Sequence, residues 1–120
     1  SLAVCLNSIN AQEVQSDEKL LVKYSPKELK KMKKDNFQEY KFLNYCTENA
    51  FYVAALSKEK VAKNPEEYGE VTINDLSNIN FHELKIELKQ SKFQPFVIKG
   101  TNKLLMVRSK DYILKELKKK

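Results

Sequence analysis

The chain has 120 residues, 42% of them apolar and 32% charged, with six Tyr, six Phe and a net charge of +6. That is one domain's length, enough for a core without disulfides or metal, and it excludes a disordered composition. No apolar run reaches membrane-spanning length. Arg108 is the one arginine among 22 basic residues, and ten asparagines accompany the lysines. Lysine is a solvated point charge, whereas base edges and phosphates are best read by the planar arginine fork. Lysine and asparagine also share A-rich codons, so an AT-rich genome accounts for much of the charge.

Residues 1–11 form a short apolar run ending in Ile9-Asn10-Ala11 before Gln12. This resembles the end of a secretory signal, cut after Ala11, although a basic n-region is missing and Ile9 is large for its place. The other readings are a short element packed on the domain, or a lipid anchor on Cys5, for which Val4 is the wrong neighbour. Removal of residues 1–11 leaves Cys46 alone, without an internal disulfide or a zinc site. A Cys5–Cys46 bridge requires that they stay. Residues 12–19 form a polar leader, and a single domain is expected over 20–120.

Leu20, Leu21, Val22 and Tyr24 suit a strand or the entry to a helix. Ser25-Pro26-Lys27-Glu28 is a helix start with a capping box. The stripe Leu29, Met32, Asn36, Tyr40, Leu43, Thr47, Ala50, Ala54 then predicts one long helix over 26–57, or two that meet near Asp35-Asn36. Its second half is apolar nearly all round and leaves a narrow polar face of Lys41, Asn44 and Glu48, as a central core helix does. Cys46 in that stretch reads as a small buried hydrophobe.

Residues 57–68 read as a loop and 70–73 as a short strand. Residues 84–89 alternate strictly and predict a half-buried strand; the rival is a helix capped by Asn80. Residues 93–98 and 104–107, joined by Gly100-Thr101-Asn102, predict a hairpin with Pro95 at an edge or bulge. Ser109 is placed to cap a final helix. The expected fold is α+β: a long N-terminal helix or helix pair packed on a small antiparallel sheet, with a short C-terminal helix. Phe37, Leu43, Cys46, Phe51 and Leu56 are expected to be buried with Phe96, Ile98, Leu105 and Val107.

No grouping of catalytic, cofactor-binding or metal-ligating residues emerges. His82 is the one histidine. Neighbouring Glu83 and Glu87 point away from it whether the segment is strand or helix. Gly69 and Gly100 are too few for a phosphate loop. The run Lys27–Lys34 reads as a solvated helical face that could also touch phosphate or anionic lipid. The sequence therefore favours an exported, periplasmic or extracellular, non-enzymatic module that binds a protein. The alternatives are a basic nucleic-acid-binding accessory protein, which would suit the cytoplasm, and a small hydrolase.

Overall fold

The structure, a computed structural model, describes residues 17–56 and 68–120. Residues 1–11, most of the polar leader and most of the expected loop at 57–68 lie outside the described residues. Asp17–Leu20 are helical and bonded to the domain. The Asp17 carboxylate accepts from Lys33 and from the Tyr40 hydroxyl. Leu20 is fully buried against Leu29 and Tyr40.

Two helices follow: α1, Pro26–Asp35, and α2, Phe37–Asn49. The capping box forms as expected, with Ser25 Oγ accepting from the Glu28 amide at 3.1 Å and Glu28 accepting from the Ser25 amide at 3.2 Å. Asn36 ends α1 and caps α2 through the Glu39 amide. This breaks the stripe into the pair rather than one rod.

α2 stops at Ala50, and strand β1 occupies Phe51–Ala55. The expected continuation of helix to residue 57 is thus corrected. Four of the five β1 residues, drawn from both faces, are half-buried, and the strand is apolar throughout, so it carries no alternation to separate it from a buried helix. The helix end is held from a distance. The Arg108 guanidinium donates to the Asn49 carbonyl at 3.1 Å, and the Arg108 amide donates to Ala50 at 2.8 Å.

The remaining strands are β2, Gly69–Val71, β3, Gln94–Ile98, and β4, Lys103–Val107. The order is β1-β4-β3-β2. β4 pairs antiparallel with both neighbours, and β2 joins β3 in parallel, so the sheet is mixed where an antiparallel one was expected. The hairpin turns at Gly100, whose φ of 79° suits a residue without Cβ. Helix α3, Lys110–Lys118, is capped by Ser109 as expected.

Residues 84–89 do not form the expected strand. Phe81–Leu84 make a 3-10 turn capped by Asn80, Lys85 adopts a left-handed conformation at φ 56°, and residues 86–89 have no ladder partner among the described residues. The alternation nevertheless marks the faces correctly. Ile86 and Leu88 pack on the core while Lys85, Glu87 and Lys89 are exposed. That core joins Phe42, Cys46 and Ala50 of the α2 end with Phe81, Ile98, Leu105, Val107 and Ile113. Phe51, Leu43 and Phe96 pack at its margin, and Leu56 is half-buried. Phe37 is corrected outright: it lies at the first turn of α2, 53% exposed, with its ring stacked on Tyr40. Among the described residues no helix is long and apolar enough to cross a membrane.

Candidate interaction cleft

An open cleft of about 950 Å³ lies between three pieces of chain. The turn after Asp17 contributes Glu18, Lys19 and Val22. The last two turns of α2 contribute Asn44, Thr47, Glu48 and Asn49, and the 74–83 segment contributes Asn78, Asn80 and Glu83. Asn80 ties the walls together: its amide donates to the Lys19 carbonyl at 2.9 Å and accepts from the His82 amide at 3.1 Å. Asp75 folds the segment before it by accepting both the amide and the hydroxyl of Ser77. Those bonds hold its carboxyl below the usual range.

The cleft sets three carboxylates, Glu18, Glu48 and Glu83, against one ammonium, Lys19. It is therefore acidic, on a chain whose net charge is +6. Lys19 Nζ sits 3.0 Å from Glu48 and 3.5 Å from the Asn78 side-chain oxygen. Glu48 stands in the last turn of α2, where the helix dipole disfavours an anion, and Lys19 offsets this. The Asn44 and Asn78 amides add both donors and acceptors. The polar face of Lys41, Asn44 and Glu48 was the signal in the sequence, and two of those three line the cleft. The contributions of the 17–22 turn and the 74–83 segment carried no comparable signal.

Three residues singled out in the sequence, His82, Cys46 and Arg108, are engaged outside the cleft. His82 is buried beneath α2, with Nε2 2.9 Å from the Leu43 carbonyl and 3.1 Å from Thr47 Oγ1. Only a protonated Nε2 can satisfy a carbonyl, so the ring donates there. Burial pushes its pKa below 6.5 against the opposing pull of that bond. Glu83 points into the cleft and Glu87 is exposed, so the imagined His82–Glu83–Glu87 grouping does not assemble. Among the described residues no three His, Cys, Asp or Glu side chains come together within reach of one metal ion.

Cys46 is 1% exposed, and burial pushes its thiol up to about 12. The nucleophilic thiolate is therefore scarce at neutral pH. Arg108 lies between the rings of Tyr52 and Tyr112, 5.3 and 5.4 Å from their centroids. With its bond to Asn49 it serves the fold. In the lysine run, Lys27, Lys30, Lys31 and Lys34 are exposed, while Lys33 turns in to Asp17.

Cleft and fold define an α+β domain with a four-stranded mixed sheet and an acidic polar groove. Comparison with protein-family models, with curated proteins and with solved structures finds no match.

Proposed function

We propose that this chain is an exported, non-enzymatic interaction module whose cleft receives a basic segment of a partner protein. The observation that carries the reading is the charge reversal: the cleft is acidic while the chain as a whole is strongly basic. Like charge repels nucleic acid and acidic protein from the groove, and opposite charge recruits lysine- or arginine-bearing segments. The asparagine amides match the alternating donors and acceptors of an extended main chain. Engagement of His82, Cys46 and Arg108 in packing supports binding over catalysis. Export rests on the signal-like pattern of residues 1–11. Intact mass of the protein from its native host checks it, with a mature start near Gln12 expected.

A photo-crosslinker placed at Asn78 in the native host tests the binding reading. Adducts that map to a Lys- or Arg-rich stretch of one protein, and that vanish with Glu48→Gln and Glu83→Gln, are expected. Adducts indifferent to both glutamates would count against the cleft.

A second reading has its own observation. Phe37 is exposed beside the lysines of α1, and Lys41 lies 6.0 Å from its ring centroid. An exposed ring among lysines offers a stacking platform for single-stranded nucleic acid. The hydrolase reading has no comparable support.

A further inference from the structure

The sheet has two edges, and they are built differently. β2 is three residues long and carries Glu70, the short and charged form in which edges are normally blunted. β1 is five residues, Phe-Tyr-Val-Ala-Ala, with no charge, proline or glycine. Its side away from β4 is open among the described residues. Val53 at its centre is 38% exposed.

The direction of the β1 backbone groups follows from two bonds. The Ala50 carbonyl accepts from Arg108, and the Leu56 amide donates to Asn102, both on the β4 side. Alternation then aims the N–H and C=O groups of Tyr52 and Ala54 at β4, in register with Met106 and Leu104. Those of Phe51, Val53 and Ala55 aim outward, so among the described residues the edge presents a complete set of unused ladder groups.

We propose that β1 pairs antiparallel with β1 of a second copy of this chain, about a two-fold axis through Val53, joining two sheets into one. In that register Val53 meets Val53 of the partner subunit, Phe51 meets Ala55 of the partner subunit, and Tyr52 meets Ala54 of the partner subunit. A bulky side chain thus opposes a small one on each face, and each outward residue exchanges both its backbone bonds with its counterpart. A register centred on Tyr52 would set two tyrosines together and leave Ala55 without a counterpart. Such self-complementarity is what an isologous interface requires. No charged side chain stands on β1, so the row at the interface is neutral despite the net charge of +6 on each copy. Longer-range repulsion remains, and added salt screens it and strengthens the dimer. The inference is independent of the cleft reading, because β1 contributes no residue to the cleft.

Sedimentation equilibrium of the full chain over a range of loading concentrations and two salt concentrations tests it, together with amide hydrogen exchange. The expected result is a monomer–dimer equilibrium that salt shifts toward dimer. The Phe51, Val53 and Ala55 amides should gain protection as dimer forms. Val53→Lys sets like charges against each other at the axis and should sediment as monomer, as should Val53→Glu. Mixing the two should restore a dimer with opposite charges paired. That recovery also distinguishes a lost interface from a lost fold. A wild-type chain that stays monomeric at every concentration overturns the proposal. So does a dimer whose Phe51, Val53 and Ala55 amides exchange freely, or one that Val53→Lys leaves intact.

Discussion

The Nε2 atom of His82 lies 2.9 Å from the main-chain carbonyl of Leu43, which fastens the 3-10 turn to the middle of α2. The ring is buried and its pKa lies below 6.5, so folding favours the neutral form. Protons bind more readily to the unfolded chain, and stability therefore rises with pH through this window. The contribution is complete above about pH 6.5 and is lost as pH falls toward the folded value, at no more than about 1.4 kcal/mol per pH unit for one group. Urea midpoints measured from about pH 8 down to pH 5 should fall for the wild type. They should be flatter for His82→Gln, which cannot titrate there.

Phe81 and Phe37 separate core from surface. Phe81 is 5% exposed and stacks on Phe51, whereas Phe37 is 53% exposed. Phe81→Ala should cost about 3–5 kcal/mol, and Phe37→Ala no more than about 1 kcal/mol, in chemical denaturation.

Gly69 lies in register with Phe96, and a Cβ at Gly69 would stand 2.6 Å from the Phe96 ring. Gly69→Ala must push that ring aside. Because Phe96 is only half-buried, a loss of about 1–2 kcal/mol is expected. Thermal unfolding measures it.

Arg108→Lys keeps the charge but loses the planar group that bonds Asn49 while lying between two tyrosine rings. Destabilisation of about 1–2 kcal/mol is expected. Faster exchange of the amides in the last turn of α2 would place the loss at the helix end.

Cap chemistry made much of the fold legible. Ser25 with Glu28, Asn36 and Ser109 each mark a helix start by side-chain bonds that depend on sequence alone. Gly100 marked the hairpin through the positive φ that a residue without Cβ accepts. What failed depends on distant partners. Residues 51–55 read as helix because nothing local announces their pairing with β4, and the arginine that ends α2 lies 59 positions from Asn49. Residues 84–89 alternate as a strand does, but Lys85 is left-handed and no strand among the described residues forms a ladder with them. The cleft was half visible: its α2 wall is a polar stripe on an otherwise apolar helix. Asn80, which joins the other two walls, spans 61 positions to Lys19.

The acidic cleft is tested most directly by titrating isotopically labelled full-length protein, in separate arms, with a lysine-rich peptide, a glutamate-rich peptide and a single-stranded oligonucleotide. Amide shifts are followed in the cleft and along α1. The account predicts saturable shifts at Asn44, Asn78 and Glu83 with the lysine-rich peptide alone, lost when Glu18, Glu48 and Glu83 are all changed to Gln. Shifts confined to Phe37 and the α1 lysines, caused by the oligonucleotide or the acidic peptide while the cleft stays silent, would contradict it.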